Sequence, residues 1–214
     1  MKLVEAWPPS YLWRYLVHRQ FQRSHPGTPV MVGNATVTLA SWLRPSDVGF
    51  EWGSGQSTTW IAPRVAHLTS IEHDHEWHAR VVAKLDELCL ADRVDYRHVE
   101  ATGTQFDEPS NSPYAHAIDA VEDGSLDFVV VDGQMRLRCM QCAIDKLKPM
   151  GLLVLDGANR YVPNDFEGGH TTVRVNRSEP LNAEWAAVLE RLASWRAIHT
   201  TDMLWDTRMW VRGP

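Results

Sequence analysis

The sequence predicts an α/β fold: a doubly wound, seven-stranded, mostly parallel sheet with an antiparallel strand pair at its carboxyl end, preceded by short helices. Three observations carry this. Between residues 48 and 156, strand-like apolar runs alternate with helical patterns, the signature of βαβ units. Runs such as SLDFVVVD are apolar on both alternating positions, which suits strands covered on both faces. Near the end, WRAIHTT and TRMWVR are separated only by DMLWD, a connection too short for a crossover and suited to an antiparallel pair.

Taken in order, residues 10–23 (SYLWRYLVHRQFQR) space apolar side chains as an amphipathic helix capped near Ser10. HPGTP breaks the pattern, and TLASWLR reads as a second short helix. Strand one is Val48 to Trp52, followed by a helix from Ser57 to Val65. HLTSIE is strand two, Glu76 to Leu90 a helix whose start is capped by Asp74, and RVDYRHVE strand three. SLDFVVVD is strand four, Arg136 to Leu147 a helix stopped by Pro149, and GLLVLD strand five. A helix over 181–194 precedes the last two strands, and 102–113 and 160–170 read as loops.

With 214 residues, 44% of them hydrophobic and 22% charged, the chain suits one soluble domain. Its net charge of −6 counts against nucleic acid as a partner, because phosphate binding needs a basic face. No segment has the continuous apolar length of a signal peptide or a membrane span. Three cysteines are too few for a disulfide scaffold. A cytoplasmic protein with no membrane partner is expected, and self-association is left open. The ten tryptophans have no fixed period and read as packing residues.

The stretch VGFEWGSGQSTTW raises the functional question. Gly53 and Gly55 lie where strand one turns into a helix, and a missing Cβ lets backbone approach a ligand closely. Glu72 ends strand two, 21 residues after Glu51, where an acid can accept both hydroxyls of a ribose. A nicotinamide enzyme would bring pyrophosphate to this turn. An acid two residues before the first glycine repels pyrophosphate and suits the ammonium group of a methionine moiety. A dehydrogenase and a non-catalytic nucleotide-binding module remain the alternatives.

In sequence order, EWGSGQST, SIEHD, FVVVDG and GLLVLDGANR resemble the motifs of class I S-adenosylmethionine-dependent methyltransferases over roughly residues 45–160. The spacing is also similar to a bacterial group of small-molecule methyltransferases. The resemblance implies a Rossmann-like core over 45–214 with a helical cap over 1–44, and S-adenosylmethionine as cofactor. It implies Glu51, Gly53, Ser54, Gly55 and Ser57 at the methionine end, Ser57 standing where this family carries its third glycine. Glu72 would hold the ribose, His73 would lie against the adenine, and Glu100 and Ala101 would border it.

Asp132 and Asp156 close strands four and five, so both face the crevice where open α/β sheets bind ligands. Asp132, also counted among the cofactor contacts, is the expected general base, with Asp156 assisting. In catechol O-methyltransferase-like enzymes the matching acids hold a divalent ion with an Asn after the second acid. Gly157 occupies that place here, so Mg²⁺ on Asp132 and Asp156 is the less favoured reading. Arg136, Asn159 and Arg160 would orient a small polar acceptor, methylated on oxygen or, less favoured, on nitrogen. Tyr11 to Phe21, Trp42 and the loop 160–172 would shield the site, with His170 a further candidate.

Three other signals are set aside. Cys139-x-x-Cys142 lies inside a helix without a second pair, and structural zinc needs four ligands. EHDHEWH, with His73, His75 and His78, is not H-E-x-x-H on a helix and reads as solvated histidines at a helix start capped by Asp74. Asn111-Ser112-Pro113-Tyr114 resembles the motif of base-amino methyltransferases but precedes strand four instead of following it, which counts against a nucleic-acid base as acceptor.

Overall fold

Why the strands can lie buried on both sides is visible in their alternation. In β4 (Leu126–Val131), Val129 and Val131 enter one apolar cluster while Phe128 and Val130 enter another. β5 (Leu147–Asp156) repeats this, with Leu153 and Leu155 on one face and Leu152 and Val154 on the other. A period of two therefore builds two cores back to back across one sheet. A computed structural model describes residues 9–25, 27–103, 108–163, 178–202 and 204–214.

The sheet has seven strands. The remaining five are β1 (Val48–Trp52), β2 (His67–Glu72), β3 (Val94–His98), β6 (Arg196–Thr201) and β7 (Asp206–Val211). Their spatial order is 3-2-1-4-5-7-6. All pairings are parallel except those of β7 with β5 and β6. The order reverses beside β1, so the ends of β1 and β4 diverge around a crevice. Helices α2 (Gly33–Trp42), α3 (Gln56–Ile61) and α4 (His75–Glu87) supply Leu39, Ile61 and Leu85 to one core. Helices α5 (Arg136–Ala143) and α6 (Ala183–Arg191) supply Met140 and Trp185 to the other.

Several boundaries differ from the sequence reading, each for a physical reason. Helix α2 begins at Gly33, before TLASWLR, with Val32 as a cap that offers no side-chain hydrogen bond; the start carries no polar signal. Helix α5 gives way to a 3-10 turn over Ile144–Lys146, and Leu147 is already in the sheet opposite Leu126. A register shift then carries the chain past Pro149 before Leu152 pairs with Phe128.

The amino-terminal expectations fare differently. Helix α1 (Pro9–Ser24) forms, but Leu12, Trp13, Leu16, Val17 and Phe21 are exposed. One tie to the sheet is His18 Nδ1, 3.2 Å from Asp202 at the β6–β7 turn. Trp42 does not shield the crevice. It lines a recess with Asp47, Asp127 and Pro149, at the amino ends of β1 and β4, because α2 runs down the sheet face from which Leu39 enters the core. Most of the loop 160–172, His170 included, lies outside the described residues. Among the described residues no helix is long and apolar enough to cross a membrane.

Gly49 shows how tightly β1 and β4 meet. It pairs with Phe128, and a Cβ there would lie 2.0–2.4 Å from three atoms of that ring. Gly49→Ala is expected to cost about 1–3 kcal/mol, the scale of overpacking, in urea unfolding. The loss should shrink in a Phe128→Leu background, where the ring is gone.

Candidate functional site

The pocket opens at the carboxyl ends of β1, β2 and β4, with a volume of about 480 Å³. Gly53 forms its floor in a conformation (φ +87°) that side-chain-bearing residues rarely adopt. A Cβ on Gly53 would stand 2.5 Å from the Gly133 amide nitrogen. The two glycines thus let the loops after β1 and β4 touch beneath the pocket.

Two carboxylates hold the glycine loop. From the side, Glu72 Oε2 accepts from Ser54 N (3.1 Å) and Ser54 Oγ (2.7 Å). Its Oε1 accepts from His73 N (2.8 Å) and Asp74 N (2.9 Å), and His73 Nδ1 lies 2.8 Å away. Burial alone would raise the Glu72 pKa, but the donors of His73, Asp74 and Ser54 overrule it and hold it at about 2. The hydrogen bond to Glu72 in turn raises the His73 pKa. From beneath, Glu51 is fully buried, and its Oε2 accepts from Thr58 Oγ1 (2.6 Å) and Ser70 Oγ (2.8 Å). Burial raises its pKa against the hydroxyls of Ser57, Thr58 and Ser70.

One consequence concerns the loop amides. Gly53 N donates to Ile71 O (3.0 Å), Ser54 N to Glu72, and Gly55 N to Thr58 Oγ1 (3.0 Å). None of the three is left to cradle a phosphate. Above the loop, Trp77 Nε1 donates to Ser54 O (2.8 Å). Trp77 is set in place by the helix cap, its own N–H reaching Asp74 Oδ1 at 2.7 Å.

On the β4 side, Arg136 gathers the crevice. Its Nη2 donates to Asp132 Oδ1 at 2.8 Å, its Nε to Gly133 O at 3.0 Å, and its Nη1 to the Asp156 carbonyl. Asp156 Oδ1 accepts from Thr207 Oγ1 at 2.5 Å. Burial, and then the neighbouring Asp156 charge, raise the Asp132 pKa, with Arg136 opposing. Burial also raises that of Asp156, against Arg136 and Thr207.

Of the residues singled out in the sequence, Gly53, Ser54, Glu72, His73, Asp132, Arg136 and Arg160 line this one pocket. Glu51, Gly55, Ser57, Glu100, Ala101, Asp156 and Asn159 do not. Glu51 sits under the loop, where the hydroxyls of Thr58 and Ser70 donate to its Oε2 and its buried Oε1 has no hydrogen-bond partner among the described residues. Glu100 is exposed beyond the end of β3. Asn159 is buried and turned towards β7, where its Oδ1 accepts from Asp206 N at 3.3 Å. Arg136 reaches the pocket, but its guanidinium is committed to the protein rather than to an acceptor. The pair Asp132 and Asp156 does not fit a divalent ion, since that guanidinium already fills the space between the strand ends. Among the described residues, His116, Asp119 and Cys142 form the one other group with metal-ligand chemistry, and His116 is paired with Asp119 at 2.8 Å.

Residues not singled out for a role include Trp77, Arg80, Gln134 and Tyr161, all in the pocket wall. Trp77 had a signal: it stands three residues after a predicted cap, facing the glycine turn. The histidines of EHDHEWH pack with aromatic neighbours, His78 stacking on Tyr96 with centroids 4.4 Å apart.

No protein-family model matches the sequence, and no curated protein matches it. Solved structures do resemble the fold. The O-methyltransferase TomG of Streptomyces achromogenes, involved in tomaymycin synthesis and solved with SAM, has a TM-score of 0.56 at 18% identity, over 99% of this chain and 93% of its own. A SAM-dependent methyltransferase of Aquifex aeolicus gives 0.51 at 13%, over 92% and 97%. An rRNA methylase of Streptococcus thermophilus gives 0.52 at 12%, over 82% and 92%. The chain has the fold of the class I S-adenosylmethionine-dependent methyltransferases, with its strand order and terminal antiparallel pair.

Glu72 should leave a signature in acid. Its folded pKa of about 2 lies below the ordinary 4.5, so its contribution is full above pH 4.5 and is lost as pH falls towards 2. Its worth is on the order of 3 kcal/mol at neutral pH. Glu72→Gln is therefore expected to be less stable at pH 7, and the gap to wild type should close between about pH 4.5 and 2 in thermal melts. A constant gap across that range would show that the carboxylate charge is not what holds the loop.

Proposed function

We propose that this protein transfers the methyl group of S-adenosylmethionine to an oxygen of a small polar molecule. The observation that carries the reading is the state of the glycine loop. The amides of Gly53, Ser54 and Gly55 are engaged within the protein, and one of their partners is the Glu72 carboxylate. A pyrophosphate would find these three amides taken and a fixed negative charge beside them, which disfavours a nicotinamide dinucleotide. A cofactor with cationic sulfonium and ammonium groups meets the opposite: Glu72, Asp74, Glu76 and Asp132 line the pocket. The fold shared with TomG, solved with SAM, supports the same cofactor.

Glu72 and the turn at Gly53 and Ser54 would hold the ribose and methionine parts, with Trp77 covering the turn. When bound, the cofactor supplies an activated methyl on a good leaving group. The chain's task is then to orient the acceptor and receive its proton. Holding two reactants in line can contribute several kcal/mol. Asp132 is the pocket-facing member of the acid pair, and its raised pKa makes it a stronger base than an ordinary carboxylate. Arg160, on the pocket wall and stacked over Trp205 at 5.0 Å, would orient the acceptor. A net charge of −6 supports a small acceptor over nucleic acid.

Calorimetry tests the cofactor: S-adenosylmethionine should bind and NADH should not, and the reverse would move the protein to the dehydrogenases. Glu72→Ala should weaken cofactor binding by about 1–3 kcal/mol. An acceptor screen separates catalyst from binding module. At saturating cofactor, Asp132→Asn should lower turnover about 10²- to 10⁴-fold, the usual worth of a general base. Wild-type turnover should drop as pH falls through the raised Asp132 pKa, above the ordinary carboxylate range. Cofactor binding without turnover of any acceptor would favour a binding module.

A further inference from the structure

The crevice between the ends of β4 and β5 brings together groups that ordinarily attract a metal ion. They are the carboxylate of Asp132, the main-chain oxygens of Asp132, Gly133 and Asp156, and the nearby Asp156 carboxylate. Arg136, the first residue of α5, sends its guanidinium into their midst. Four hydrogen bonds fix it there: Nε to Gly133 O (3.0 Å), Nη2 to Asp132 O (2.5 Å) and Asp132 Oδ1 (2.8 Å), and Nη1 to Asp156 O. Its side chain is only 11% exposed. Such a charge is retained inside a protein when it is paired and its donors are used. The oxygens it uses are hard donors, the type that binds Mg²⁺ or Mn²⁺.

Gly157 supplies the second observation. It adopts φ +63°, and a Cβ there would stand 2.6 Å from Arg136 Nη1. The residue after Asp156 therefore has to be small for Arg136 to lie where it does. Arg136 and Gly157 act as one unit: a built-in cation and the space that admits it.

We propose that this crevice is a latent divalent-cation site whose cation is supplied by the chain itself, as Arg136, in the space left by Gly157. Arg136 is a positioning residue. It neutralises the acid pair, joins the ends of β4 and β5, and aims the Asp132 carboxylate into the pocket without meeting the acceptor. A divalent ion is excluded because its oxygens are taken and its charge would face a guanidinium. Methyl transfer at this pocket would then be indifferent to chelators, but the assignment itself concerns ion binding and does not depend on the reaction.

The test is an exchange of one cation for another, read by Mn²⁺ electron paramagnetic resonance and by thermal melts with and without Mg²⁺. Wild-type protein should show no Asp132-dependent Mn²⁺ binding at millimolar ion. Arg136→Met should gain it, with a Tm that rises on adding Mg²⁺, and the gain should vanish in Arg136→Met/Asp132→Asn. Arg136→Lys, which keeps the charge, should remain without Mn²⁺. Independently of any ion, Gly157→Ala should lower Tm by several degrees more in wild type than in Arg136→Met, because the positive φ burdens both and the clash only the first. Mn²⁺ binding to wild type that Asp132→Asn abolishes would overturn the proposal. So would a folded Arg136→Met that gains no Mn²⁺, or equal Gly157→Ala losses in the two backgrounds. Neither cofactor nor acceptor enters these measurements, so their failure leaves the methyltransferase reading standing, and its failure leaves them standing.

Discussion

The site is organised by one carboxylate. Glu72 stands at the end of β2, and its oxygens accept from the backbone of Ser54, His73 and Asp74 and from the Ser54 hydroxyl. Those donors belong to two different strand ends, so a single side chain fixes the distance between β1 and β2 where the pocket opens. A carboxylate that accepts several N–H bonds is held ionised and immobile. The loop it fixes then determines where Gly53 meets Gly133, and through that contact where the β4 loop begins. Asp74, positioned partly by Glu72, caps α4 and places Trp77 over the same turn.

The opposite wall follows a different electrostatic logic. Glu72 is surrounded by neutral donors and by His73, whereas Asp132 and Asp156 share one guanidinium between them. Two neighbouring acids, Asp156 buried and Asp132 half-buried, with one permanent cation keep a net tendency to hold a proton, which is the direction in which both are displaced. The pocket thus has one wall carrying a firmly ionised acid, Glu72, and one carrying Asp132, whose carboxyl is displaced towards holding its proton. Separation of that kind allows one cleft to combine fixed charge with acid–base work.

Much of this was legible in the sequence. Apolar alternation and chain punctuation gave the strand order its raw material, because burial on both faces imposes a pattern on every buried strand. The glycines at 53 and 55 and the acids at 72 and 132 stood out because strand ends are where α/β sheets bind ligands. What was not legible is how each polar group is satisfied. Nothing in the string indicates that Arg136 points inward at backbone oxygens, or that Asn159 turns towards β7 and away from the crevice. Hydrogen bonding among groups tens of residues apart depends on distances that no local pattern encodes. Trp42 was misplaced for a related reason: a short helix lacking a polar cap signals neither its start nor the end of the sheet its last turn reaches.

The engaged amides of the glycine turn also bear on how this part of the molecule moves. Glycine-rich turns beside ligand pockets are commonly the first backbone to open, and their amide protons are expected to exchange with solvent quickly. Here Gly53, Ser54 and Gly55 each donate to a fixed acceptor, two of those acceptors being anchored to buried strands. Opening the turn means breaking several bonds together rather than one. These three amide protons should therefore exchange on the slow timescale of the central strands, making the most glycine-rich stretch of the site one of its stiffest.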